Sequence, residues 1–109
     1  MEEKTLREIC GSTGVTRRAV QGYEKAGLVM ASGKNNYGHL LYDHECEERI
    51  REIRFYQTAG FSLKEIASII DASSEPKKAA LQKQRMIMEA RCRETQEIID
   101  RLNQLIADL

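Results

Sequence analysis

The sequence predicts a mainly α-helical fold: a head of short helices with one small β-hairpin, followed by a single long C-terminal helix. Three observations carry that expectation. Between residues 5 and 70, apolar residues recur at helical spacing behind Ser, Thr or Asp residues suited to helix caps. One Gly- and Asn-rich stretch, Ser32 to Gly38, breaks the helical pattern with turn chemistry. No Gly or Pro occurs from Lys77 to Leu109, and a heptad pattern runs through that segment without interruption.

The elements follow in order. Thr5 caps a first helix in which Leu6, Ile9 and Cys10 stand at i, i+3 and i+4, and Gly11 and Gly14 punctuate the chain behind it. Thr16 caps a second helix with Ala19, Val20 and Tyr23 on its apolar face, and Gly27 closes it, since glycine accepts the left-handed conformation. Two short helices joined by a Gly-containing turn make a helix-turn-helix, or an ordinary helical hairpin. Leu28-Val29-Met30 reads as a first strand, Ser32–Gly38 as a loop, and His39-Leu40-Leu41-Tyr42 as a second strand. Such a hairpin is a small wing, and its loop carries Lys34 and two asparagines, all able to donate to phosphate.

Asp43 caps the next helix, with Glu45, Glu47 and Glu48 near its positive end and Ile50 and Ile53 on its apolar face. Gly60 ends it. Ser62-Leu63-Lys64-Glu65 is a capping box for a short helix with Ile66, Ile69 and Ile70. Ser73-Ser74-Glu75-Pro76 starts the last helix, with Pro76 in the first turn where it loses no hydrogen bond.

That last helix has an explicit seam. Leu81, Arg85, Met88, Cys92, Thr95, Ile99, Leu102, Ile106 and Leu109 alternate by four and three, and Ile98 and Leu105 widen the stripe. Such a face requires a partner, either the head or a second helix. The stripe outruns a head of about 70 residues, at roughly 1.5 Å of helix per residue, which predicts a coiled coil. A parallel pair would stack Arg85 on Arg85′, whereas an antiparallel pair sets Cys92 against Thr95′, Met88 against Ile99′ and Leu81 against Ile106′. The expected organisation is therefore a compact head over residues 1–72 and an antiparallel dimerisation helix over 73–109.

Composition narrows the function classes. The 109 residues carry 17 basic and 17 acidic side chains and no net charge, so any nucleic-acid role must rest on local placement of Lys and Arg. No apolar run reaches the roughly 18 residues of a membrane span, and the charged N-terminus is no signal peptide. Cys10, Cys46 and Cys92 are widely spaced and odd in number, forming neither a disulfide framework nor a metal pair. No nucleophile, phosphate-loop or paired-carboxylate motif stands out. The expectation is a cytoplasmic protein without enzymatic activity, metal or cofactor.

The order of parts resembles the MerR family of regulators. The residues that carry the resemblance are Gly14-Val15-Thr16, Arg18, Tyr23-Glu24-Lys25-Ala26-Gly27-Leu28, Gly38, Leu41-Tyr42 and Ala59-Gly60-Phe61-Ser62-Leu63-Lys64-Glu65-Ile66. It covers residues 5 to 70 closely and 76 to 109 by architecture, and reads as a short form without an effector-binding domain. The sequence departs from the family where an Arg-Tyr pair usually precedes the position of Tyr23, here Gln21 and Gly22. It departs again in the wing, where a Tyr-Arg pair usually follows the glycine and His39 and Leu40 stand instead.

What the resemblance implies is a homodimer that binds a pseudo-palindromic operator in double-stranded DNA and distorts the promoter so that RNA polymerase can read it. Thr16, Arg17 and Arg18 occupy the first turn of the recognition helix, where side chains meet base edges in the major groove. Tyr23, Lys34, Asn36, Tyr37 and His39 are expected at the DNA backbone, and Tyr23 has a competing role as a core aromatic. The helix start at Ser62 and Lys64 offers amides to a phosphate. Leu81, Met88, Cys92, Thr95, Ile99, Leu102, Ile106 and Leu109 form the expected dimer interface. Two other readings fit parts of the sequence: a protein-interaction module, suited to the neutral charge, and an excisionase-like architectural protein, which would not need the long seam.

Overall fold

In the computed structural model, which describes residues 3–109, β1 (Lys4–Thr5) leads directly into α1 (Leu6–Thr13). Thr5 and Glu8 form a reciprocal capping box at that junction. Helix α2 (Arg17–Lys25) follows, then β2 (Gly33–Lys34) and β3 (Leu40–Tyr42). Next come α3 (His44–Thr58), α4 (Leu63–Ile69) and α5 (Ser74–Ala107). The caps expected at Thr5, Thr16, Asp43 and Ser62 all form, each side chain accepting from a backbone amide three residues on. Ser73 stands at the N-cap of α5 without a side-chain cap bond.

Two glycines end helices by the same device. Behind α2, Gly27 adopts φ 75°, its N–H donates to Glu24 O, and the Leu28 N–H donates to Tyr23 O. Behind α3, Gly60 adopts φ 102°, and the Phe61 N–H donates to Tyr56 O. Both are Schellman motifs, in which the residue after the glycine turns inward onto the helix. Leu28 and Phe61 are accordingly buried, and the Phe61 ring meets Tyr56 edge-on at 5.9 Å.

That geometry corrects the sequence reading of the wing. Leu28-Val29-Met30 is not a strand, because the cap draws Leu28 into the core. The strand that pairs with β3 is β2, with Gly33 opposite Leu41 and Lys34 opposite Leu40. The sheet also has a third member: β1 pairs antiparallel with β3, Lys4 opposite Tyr42, giving the order β1-β3-β2. Helix α1 also continues through Gly11 to its left-handed C-cap at Gly14 (φ 73°), since the i, i+3, i+4 stripe of Leu6, Ile9 and Cys10 outweighs one helical glycine.

The chain divides into two compact units, Met1–Asp71 and Ala72–Leu109. In the first, Ile9, Val20, Tyr23, Tyr42, Ile50, Ile53 and Ile66 are the largest fully buried side chains. They come from α1, α2, β3, α3 and α4, so one core joins every helix of the unit to the sheet. Each such aliphatic side chain contributes roughly 2 kcal/mol by leaving water. The second unit is α5, 34 residues with none buried, about 51 Å long at 1.5 Å per residue.

Candidate nucleic-acid interface

Helix α2 is held in a single rotation about its axis. Val20 and Tyr23, at i and i+3, are 0% and 1% exposed and lock one face onto the core. The opposite face must then point outward, and Arg17, Arg18, Gln21 and Lys25 are exposed. Thr16 accepts from the Ala19 N–H at 3.1 Å, which fixes the first turn where both arginines sit. Among the described residues, no ion pair engages Arg17 or Arg18.

Other cations of the head are committed internally. Lys4 Nζ donates to Glu47 at 2.7 Å. Arg49 holds Asp71 through its two terminal guanidinium nitrogens, at 2.7 and 2.8 Å, and donates from Nε to Leu28 O at 2.9 Å. Arg51 donates to Ser12 O at 2.8 Å near the C-terminal end of α1. Glu47 is the one buried charged residue of the described chain. Hydrogen bonds from Lys4 and then Ser12 hold its carboxyl below the ordinary glutamate value, which keeps it ionised beside Lys4 and Arg51.

The wing tip is built on Asn35. Its side-chain carbonyl accepts from the backbone amides of Tyr37 (2.9 Å) and His39 (3.0 Å). Gly38 N donates back to Asn35 O at 3.1 Å, and Gly38 takes φ 80°. This is a type I turn closed by a left-handed glycine, a common three-residue hairpin connection. It holds Lys34, Asn36, Tyr37 and His39 exposed at the rim, Tyr37 at 86%. The Tyr37 and His39 rings lie 6.4 Å apart.

The structure brings some candidates together and sets others aside. Gly38, His39 and Leu40 of the wing share one cleft with Arg17 of α2 and with Thr5, Leu6 and Arg7 at the start of α1. Tyr23 fills the role of core aromatic: its ring is buried and its hydroxyl donates to Gln57 at 2.6 Å. At Ser62 the capping box already uses two amides, Glu65 N to Ser62 Oγ and Ser62 N to Glu65 Oε1. The same box places a carboxylate at that helix start, so only Leu63 and Lys64 of this turn present amides outside the box. Lys64 is exposed.

Sequence reasoning missed Asn35 and Arg7. The Asn-x-x-Gly spacing of Asn35 and Gly38 is a turn signature that marks Asn35 as the organiser of the loop. Arg7 gave no local signal, because only the tertiary fold sets the start of α1 beside α2 and the wing.

On α5 every expected seam residue is exposed, from Leu81 at 37% to Leu109 at 106%, which lies just beyond the helix. Cys92 is exposed, and Cys10 and Cys46 are half-buried. Among the described residues no group of His, Cys, Asp or Glu is arranged to hold a metal ion. No described helix is long and apolar enough to cross a membrane.

Comparison with known proteins bears on these features. Residues 4–73 match the family model "MerR HTH family regulatory protein", and residues 47–109 match "MerR, DNA binding". The nodulation protein NolA of Bradyrhizobium sp. (strain NC92) is 35% identical over 103 residues, 94% of this chain and 43% of NolA. The chain thus spans less than half the length of that relative. The N-terminal part of the Bacillus subtilis multidrug transporter activator, MtaN, superposes with a TM-score of 0.72 at 27% identity, covering 94% of this chain and 97% of MtaN. HiNmlR, a MerR family regulator lacking the sensor domain and bound to promoter DNA, shares the fold, with a TM-score of 0.75 at 20% identity over 97% of this chain and 89% of HiNmlR. With the two family models each covering more than half of the residues, this chain belongs to the MerR helix-turn-helix family, whose members are DNA-binding transcriptional regulators and not enzymes.

Proposed function

We propose that this chain binds a pseudo-palindromic operator in double-stranded DNA as a homodimer, with residues 1–72 as the DNA-binding head and 73–109 as an antiparallel dimerisation helix. The observation that carries the reading is the first turn of α2. Two exposed arginines without ion pairs stand there, Arg18 on the face opposite Val20 and Tyr23 and Arg17 on its flank, and a guanidinium in that turn can meet guanine O6 and N7 bidentately. The rim of the wing, with Lys34, Asn36, Tyr37 and His39, meets the sugar-phosphate backbone beside it, as does Lys64. HiNmlR, which has this fold, is bound to promoter DNA, and MtaN belongs to a transporter activator. By that likeness the dimer acts at a promoter, in the cytoplasm, by distorting the DNA that RNA polymerase reads.

The antiparallel assignment has support beyond the seam. Between Glu75 and Arg93 the helix carries six basic and two acidic residues; between Glu94 and Leu109 it carries one basic and four acidic. This order opposes the helix dipole, which favours acids near the N-terminus and bases near the C-terminus. It is unfavourable in an isolated helix and favourable when a second copy runs the other way, basic half against acidic half. A parallel pair sets like halves together and Arg85 on Arg85′.

In vitro selection of DNA sites across a salt series tests the whole reading. Two half-sites in inverted repeat are expected, with affinity falling as salt rises. Arg18→Ala should lose about 1–3 kcal/mol and relax base preference at one position per half-site. Selection that returns no sequence from the wild type overturns the DNA reading.

A further inference from the structure

We propose that Arg7 is a DNA-backbone contact that works with Arg17 and His39 as one phosphate-binding cleft. The inference rests on the DNA reading above and extends it to a third element, the start of α1. Arg7 is exposed in the first turn of α1. The cleft it lines is closed by the first residue of α2 on one side and by the wing on the other. These are the two elements assigned to DNA, so a duplex that touches both passes over the cleft between them.

The chemistry of the lining fits a sugar-phosphate strand. It holds two guanidinium groups and one imidazole, and no acidic side chain. The nearest acid in sequence, Glu8, is engaged by Thr5, whose backbone amide holds its carboxyl below the ordinary value. Leu6 and Leu40 supply apolar surface in the same cleft, which suits the face of a deoxyribose. Like Arg17, Arg7 has no ion pair among the described residues. Lys4, Arg49 and Arg51 in the same unit are each tied to a carboxylate. A cation left unpaired in an acid-free cleft concentrates positive potential where backbone charge would pass. Arg7 also offers a replacement for cation missing from this surface, where Gln21 and Leu40 stand at places that the family resemblance gives to arginine.

Binding of the selected operator and of an unrelated duplex by wild type, Arg7→Ala, Arg7→Lys and Arg7→Gln, each over a salt series, tests this. Arg7→Ala and Arg7→Gln should weaken both duplexes by the same factor. Both should reduce the slope of log affinity against log salt by about one for each phosphate no longer neutralised, so about two per dimer. Arg7→Lys should keep the slope. Ethylation interference on the operator should lose one phosphate per half-site in Arg7→Ala. An unchanged slope in both neutral variants overturns the assignment, as does a loss confined to the selected operator, which would mark a base contact. Melting temperature separates these outcomes from damage to the fold, because replacing an exposed, unpaired arginine should leave it unchanged. A wild type that binds neither duplex defeats the DNA reading itself, a result distinct from the failure of Arg7 alone.

Discussion

The head and the long helix solve the burial problem in opposite ways. Every buried apolar side chain of the described residues lies in the head, from Ile9 to Ile70. Helix α5 is rich in Leu, Ile and Met along one stripe and buries none of them. A head of that kind is a self-contained folding unit. A 34-residue helix with an apolar seam in water is not, since most helical stability in proteins comes from contacts made by the apolar face. The difference is what the proposed dimer accounts for: in that reading α5 supplies half of an interface, and its charges as well as its apolar stripe meet a second copy.

The largest expected effect comes from breaking that interface. Ile99→Asp faces Met88′ in the proposed register, so two carboxylates per dimer would be buried without partners, each costing about 3 kcal/mol or more. Sedimentation at micromolar concentration should show a monomer, with the head still folded by its own thermal transition. The same register places Leu102 opposite Arg85′. Leu102→Asp should therefore weaken the dimer much less than Ile99→Asp. Equal losses would mean a different register, and a wild-type monomer would refute the pairing.

A smaller effect tests the head alone. Glu47→Gln removes the charge that accepts from Lys4 and Ser12 and faces Arg51, and should cost about 2 kcal/mol in urea unfolding at neutral pH. The pH dependence has a definite sign. Glu47 is held below its ordinary value in the folded state, so its contribution is full above the unfolded pKa and is lost as pH falls through the folded one. Wild type and Glu47→Gln should therefore converge in stability in acid. A gap that persists at low pH would assign the loss to shape and not to charge.

The smallest expected effect is a gain. Gly22 lies inside α2 with no positive φ, and an added Cβ would meet nothing within 4 Å. Gly22→Ala should stabilise the head by about 1 kcal/mol, seen as a rise of several degrees in its melting temperature. It should leave sedimentation unchanged, since α5 is untouched. No rise would mean that the space beside Gly22 is not open.

Much of the fold is legible in the sequence because its signals are local. Thr5, Thr16, Asp43 and Ser62 cap helices through atoms three residues away, and Gly27 and Gly60 end them through bonds that span five. The wing reads one strand out of place because Leu28-Val29-Met30 has strand composition, while Leu28 serves the Schellman cap of α2. The third strand is invisible in the sequence, since two residues, Lys4 and Thr5, make too short a pattern and pair with positions almost forty residues away. Of the site, exposure of Arg17, Arg18 and the wing rim follows from helix phase and turn chemistry. The inward placement of Tyr23 is one of two options that the sequence allows.

The sequence alone determined the five helices, the caps at Thr5, Thr16, Asp43 and Ser62 and the apolar stripe of α5, because periodicity and capping act over a few residues. Tertiary structure alone decided which cations are spent. Arg49 and Arg51 sit two apart on α3 and look alike in sequence, yet Asp71 and Leu28 O hold one while Ser12 O and Glu47 hold the other. Arg7 gives no local sign of its place, and the fold sets it beside Arg17 and the wing. The physical reason is range: a hydrogen bond between residues 39 apart, such as Arg51 to Ser12, exists only after the core has brought α1 and α3 together.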